Sequence, residues 1–224
     1  MEKLSIWSKV MTREQAVKSD EKPLFIFDLD STITKYELLP LIANCVGLGE
    51  QMAQLTEAAM QGETVFELSF RKRVELLKTI PISKVRSIAE EVPLHDRIAD
   101  FIRENSQRCM ILTGNLDAWI MPIIEKLDMV GRCLCSKARI QGDCLLEVAS
   151  VIDKGMACRK LTHPFVAIGD GSNDLDMLRA ADIGIAFGGS RRPPNELIEA
   201  ADMLVEDEDE LIEILWIISW KAVL

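Results

Sequence analysis

The chain has 224 residues, of which 48% are hydrophobic and 28% charged, and a formal net charge of −10. That length accommodates one ordinary domain, or one domain with a smaller insert, and a substantial core. The negative balance excludes wholesale attraction to nucleic acid or anionic lipid, both of which need a basic face, so an anionic substrate would need a local cation.

In chain order, the opening residues MEKLSIWSKVMTREQ lack the apolar centre of a secretion signal, and a cytoplasmic protein is expected. The cysteines at 45, 109, 133, 135, 144 and 158 show no metal-ligand spacing and read mostly as small buried thiols, reduced in that compartment. Residues 24–27, LFIF, form a continuous apolar run without alternation, as a strand buried on both faces does. Residues 37–46, 50–61 and 64–78 then carry three helical patterns, with glycines 47, 49 and 62 as breakers, and predict a small helical insert.

Beyond Pro81 helices alternate with short strands. Helices are predicted over 83–92 and 95–105, a strand over 108–113, a helix over 116–127, and strands within 132–149 around a turn at Gln141-Gly142-Asp143. A strand at 165–169, a helix at 173–181, a strand at 183–187, a helix at 195–201, a strand at 203–205 and a last helix from about 209 complete the chain. This rhythm implies an α/β fold, a parallel sheet flanked by helices. The acidic run EDEDE at 206–210 reads as a solvated helix start. The run ILWIISW at 214–220 is too short to cross a bilayer and reads as a helix packed on the core. No nucleic-acid or membrane partner is expected, and the protein is expected to be a monomer or a homodimer.

The first strand runs straight into Asp28 and Asp30, which in extended geometry can face one cleft beyond the strand end, where ligands collect in open parallel sheets. Taken alone, DLDST serves equally well as a cap or turn. A second acidic stretch, GDGSND at 169–174, follows the strand at 165–169 and contributes Asp170 and Asp174. Four carboxylates at two strand ends repel one another unless a hard divalent cation sits among them, magnesium being the obvious candidate. Ser172, Asn173 and Asp174 also suit a helix cap. Thr113 ends another strand and Gly114 starts the loop to a helix, where a hydroxyl and freed N–H groups could seat a phosphate, and Lys154 could be the local cation.

The series D-x-D-S-T, T-G, K and G-D-G-x-N-D, spread over residues 28–174, resembles the haloacid dehalogenase superfamily of phosphotransferases. The resemblance implies a Rossmann-like core of residues 1–35 and 80–224 with a C1-like helical cap at 36–79. It implies a magnesium-dependent phosphomonoesterase in which Asp28 is the nucleophile, forming an aspartyl phosphate, and Asp30 is the general acid and base. The magnesium would be held by the side chains of Asp28 and Asp170 and the carbonyl of Asp30, with Asp174 in support. Thr113, Gly114 and Lys154 would hold the phosphoryl oxygens, and Asn173 would join them in binding substrate.

Glu37, Phe66 and SFRKRVELLK are similar to the cap of the phosphoserine phosphatase branch. On that likeness Glu37 meets the substrate amino group, Phe66 forms a wall and Arg73, with Arg71 as the nearby alternative, grips the carboxylate. The implied reaction is hydrolysis of L-phosphoserine, a step of serine biosynthesis. A phosphatase for another small phosphorylated metabolite, a transferase using an acceptor other than water and a non-catalytic binding protein are the alternatives. Two departures stand out: Thr113-Gly114-Asn115 replaces the usual S-G-G, and a short interval from Lys154 to Asp170 implies a truncated helix. His95 and His163 match no family position and read as structural or surface.

Overall fold

The sheet is assembled so that alternate residues of its strands enter different cores. A computed structural model of the chain describes residues 22–60, 65–161 and 164–221. The strands are β1 (Leu24–Phe27), β2 (Cys109–Leu116), β3 (Cys133–Gln141), β4 (Cys144–Ser150), β5 (Phe165–Gly169), β6 (Ile183–Phe187) and β7 (Met203–Val205). They form one seven-stranded sheet in the order β4-β3-β2-β1-β5-β6-β7, parallel except for the β3–β4 hairpin. Phe25 and Phe27 of β1 join one hydrophobic cluster and Ile26 the other. Both faces are covered, which is why the strand reads as an unbroken apolar run.

The helices are α1 (Leu38–Cys45), α2 (Gly49–Met60), α3 (Phe66–Leu77), α4 (Ile82–Glu90), α5 (Asp96–Glu104), α6 (Asp117–Lys126), α7 (Lys154–Cys158), α8 (Leu175–Ala180), α9 (Asn195–Ala200) and α10 (Glu208–Lys221). Residues of α5, α6 and α10 pack in the cluster of Phe25 and Phe27, while α7, α8 and α9 cover the face of Ile26. α1 to α3 fall between β1 and α4, as the periodicity predicts. Where the chain leaves and re-enters, Thr34 bridges Leu94, and the N–H groups of Lys35 and His95 donate to Pro93 and Ile33. Gly142, at φ +57°, makes the tight β3–β4 turn.

Four expectations need correction. β2 continues to Leu116 instead of ending at Thr113, because pairing with β3 resumes after a register shift between those residues. Gly49 opens α2 instead of breaking the chain before it. Only Cys109, Cys135 and Cys158 are buried, whereas Cys45 and Cys144 are exposed; all six are free thiols. The acidic run is not simply solvated, since Glu208 bonds His95 and Asp209 pairs with Arg97 at 3.1 Å. The truncated helix is α7, five residues long. The opening segment, Gly62 and His163 lie outside the described residues, among which no helix is long and apolar enough to cross a membrane.

Phe101 of α5 ties the central strand to the last helix, with ring centroids 5.2 Å from Phe25 and 5.2 Å from Trp216. Truncating it opens a large cavity, and Phe101→Ala should lower the urea-unfolding free energy by about 3–5 kcal/mol. A loss below about 1 kcal/mol would show that this cluster does not hold the sheet to its covering helices.

Candidate active site

Strand register gathers the acidic residues. β1 lies between β2 and β5, with Phe27 opposite both Ile111 and Ile168, so Asp28 emerges level with Gly169, one residue before Asp170, on one flank and level with Leu112, one residue before Thr113, on the other. The Asp28 N–H donates to the Ile168 carbonyl, prolonging the ladder up to the carboxylate. Beyond it the chain turns through Ser31, whose φ of +59° is held by its N–H donating to Thr34 Oγ1 at 3.2 Å. Asp30 accepts the Leu38 N–H on Oδ1 at 2.7 Å, so the same residue fixes the start of α1.

Carboxylate oxygens of Asp28, Asp170 and Asp174 lie within 4.8 Å of one another, all buried. Lys154 sits among them and is itself only 5% exposed. Its Nζ donates to Asp28 Oδ1 and to Asp174 Oδ1. Asp174 Oδ2 accepts the N–H groups of Asp170 and Gly171, at 3.1 and 3.0 Å. Asp174 therefore serves both as turn-forming acceptor and as partner of the cation. Burial, then the neighbouring Asp174 carboxylate, raises the Asp28 carboxyl well above the ordinary carboxylate range. The same two causes push Asp170 up to about 7. Burial opposes the charge on Lys154, but Asp174 and Asp28 outweigh it and hold the ammonium above its usual range. Lys154 on Asp28 and Asp174, with Arg191 on Asp170 at 3.0 Å, sets two cations against three carboxylates, and an all-oxygen set of this kind suits a hard divalent cation.

Above the trio opens a cleft of about 520 Å³, lined among others by Asp28, Asp30, Asp170, Asn173, Gly114 and Phe66. Thr113, fully buried, accepts the Asn115 N–H on Oγ1 at 3.1 Å. A Cβ on Gly114 would stand 2.6 Å from the Phe66 ring, so α3 presses its aromatic wall against the bare backbone of β2. Asn115 donates from Nδ2 to Asp30 Oδ2 at 3.1 Å, which fills the place where the usual loop has no side chain. Burial raises the Asp30 carboxyl.

Of the two arginines weighed, Arg73 faces the cleft, and its buried Nε has no hydrogen-bond partner among the described residues. Arg71 instead pairs with Glu67 and donates to the Val148 carbonyl at 2.7 Å, which commits it to β4. Glu37 also lines the cleft, 4.0 Å from Arg73. The residue missed from sequence is Arg191, in the loop between β6 and α9. Its Nε donates to Asp170 Oδ2 at 3.0 Å and its Nη1 meets Glu37 Oε1 at 2.7 Å. The available signal was its position directly after a strand end, where ligands collect. His95 is structural, as expected: it is buried, with Nδ1 3.2 Å from Glu208 and Nε2 2.9 Å from Ser190.

A haloacid dehalogenase-like hydrolase family model matches residues 25–179, and a second model of that description matches 146–213. The chain belongs to the haloacid dehalogenase-like hydrolases. It is 34% identical to a phosphoserine phosphatase of Methanocaldococcus jannaschii over 87% of this chain and 97% of that one. A substrate-bound phosphoserine phosphatase structure superposes with a TM-score of 0.74 at 31% identity, covering 88% of this chain and 98% of that one. A phospho-aspartyl intermediate analogue of phosphoserine phosphatase superposes with a TM-score of 0.73 at 30% identity, covering 87% and 99%. The seven-stranded α/β fold is that of this family.

Removing the central cation should expose its structural share. Lys154→Met strands two buried carboxylates, and urea unfolding with EDTA near pH 7.5 should show a loss of about 3–5 kcal/mol. Lys154 lowers the Asp28 carboxyl against the burial that raises it, so in the variant that carboxyl rises further, takes up its proton at higher pH than in the native protein, and the loss should shrink toward about pH 5. A loss equal at both pH values would contradict the arrangement of charges.

Proposed function

We propose that the chain is a magnesium-dependent phosphomonoesterase working through an aspartyl phosphate, with L-phosphoserine as the first substrate. The observation that carries this reading is the placement of Asp28 at the end of the central strand, bonded to Lys154 and facing Asp170. Asp28 and Asp170, with the carbonyl of Asp30, would hold the magnesium, and Asp174 would support them; the bound ion supplies positive charge to the phosphoryl oxygens and the attacking carboxylate.

In this reading Asp28 attacks phosphorus, oriented through the oxygen that Lys154 holds. Asp30, whose carboxyl burial raises, would give a proton to the departing alkoxide and then accept one from the hydrolytic water. Thr113, the Gly114 N–H, Lys154 and Asn173 hold the phosphoryl oxygens. Residues 36–79 act as the cap on a core formed by the rest, and they bring Glu37, Phe66 and Arg73 to the leaving group. The phospho-aspartyl and substrate-bound relatives support the same chemistry. Turnover of L-phosphoserine to serine and phosphate would be a step of serine biosynthesis; a cytoplasmic location and a monomeric or homodimeric state are proposed beside it.

A second reading, a sibling phosphatase for another small phosphorylated metabolite, is favoured by two features of the leaving-group end: Asn115 on Asp30 and Arg191 on Glu37. Phosphate release from a panel of small phosphomonoesters separates the two. Release from phosphoserine should require magnesium, vanish with EDTA, and fall at least about a thousandfold in Asp28→Asn. Release from other esters but not phosphoserine would favour the sibling, and turnover by Asp28→Asn would contradict the nucleophile.

A further inference from the structure

Arg191 is not a loose surface arginine. Ser190, directly before it, bonds the buried His95, which in turn meets Glu208 of α10, and Pro193 and Pro194 follow two residues on. The loop is tied to the core on one side and stiffened on the other. Although its side chain is 43% exposed, both ends of its guanidinium are engaged, one with Asp170 beneath the cleft and one with Glu37 at its rim. Glu37 is thereby shared between two arginines, Arg191 at 2.7 Å and Arg73 at 4.0 Å, while Arg192 also lines the cleft. Arg192 is taken up by Glu206 at 3.5 Å, so it is the guanidinium groups of Arg191 and Arg73 that converge on this one carboxylate. An ammonium approaching Glu37 meets a partner already neutralised and a like charge beside it, whereas a carboxylate meets guanidinium groups.

We propose that Arg191 is a specificity-determining residue that makes the leaving-group end of the cleft a seat for a carboxylate and leaves the amino group dispensable. The substrate class is then phosphomonoesters of small hydroxy acids, of which phosphoserine is one and its desamino counterparts are others. This rests on the phosphomonoesterase reading and narrows it to the charge pattern of the leaving group.

Three matched esters test it: O-phosphoserine, 3-phosphooxypropanoate, which lacks the amine, and O-phosphoethanolamine, which lacks the carboxylate. In the native protein, kcat/KM for the desamino ester should lie within about threefold of that for phosphoserine, and phosphoethanolamine should fall by about a hundredfold. Arg191→Met releases Glu37, so the preference for phosphoserine over the desamino ester should rise by about tenfold, in KM more than in kcat. Arg191→Lys, which keeps a charge but replaces the two-ended guanidinium fork by a single point donor, should give a smaller rise in the same direction. Such ratios do not depend on the fraction of a variant that folds.

The proposal is overturned if the native protein already favours phosphoserine over the desamino ester by more than about thirtyfold, or if the ratio is unchanged in Arg191→Met. Release from p-nitrophenyl phosphate but from none of the three would overturn it while leaving the phosphomonoesterase reading intact. Release from no ester at all would remove that reading, and this one with it.

Discussion

Everything in the site hangs on one buried cation shared by two carboxylates. Lys154 opens a five-residue helix, and that helix is anchored by its own cap, the Asp153 side chain accepting the Met156 N–H. From there the ammonium reaches Asp28 on the central strand and Asp174 at the start of α8. Buried ion pairs of this kind are a poor source of stability, because desolvation consumes most of the attraction. The arrangement is tolerated because the sheet on which it stands is covered on both faces, and because Asp174 spends its second oxygen on backbone N–H groups instead of leaving it bare. What the cluster provides is a fixed carboxylate at a strand end, where the proposed reading puts a further cation and the phosphoryl group.

The same geometry links the chemical end of the cleft to the helices between β1 and α4. Asp30 is bonded to the first N–H of α1, Phe66 of α3 lies on Gly114 of β2, and Arg191 joins Asp170 to Glu37. In the proposed reading, contacts of the leaving group come from the inserted helices and from Arg191, while those of the phosphoryl group come from strand ends. Both sets meet over Asp28.

Much of this was legible in the sequence, for physical reasons. The unbroken LFIF run announces a strand buried on both faces, and each acidic motif sits where a short apolar strand stops. The rest depended on information that local patterns do not carry. Lys154 looks like any surface lysine until the fold buries it. β2 outruns its apolar run because pairing with β3 resumes beyond Thr113. Cys45 and Cys144 lie in apolar surroundings along the chain but on exposed faces in space. Arg191, in a glycine- and proline-rich loop, reads as solvated turn chemistry, and only the meeting of β6, α1 and the β5 end shows its partners. Its loop is held in turn by His95, read from sequence as structural or surface and buried in the fold, whose consequence for the cleft was invisible.

The central claim, that Asp28 accepts phosphorus, is tested most directly by trapping. Enzyme mixed with radiolabelled substrate and quenched in acid during turnover should carry the label on one peptide, and fragmentation should place it on Asp28. Label on Asp30 or Asp170, or turnover with no protein-bound phosphate at any time, would contradict the account.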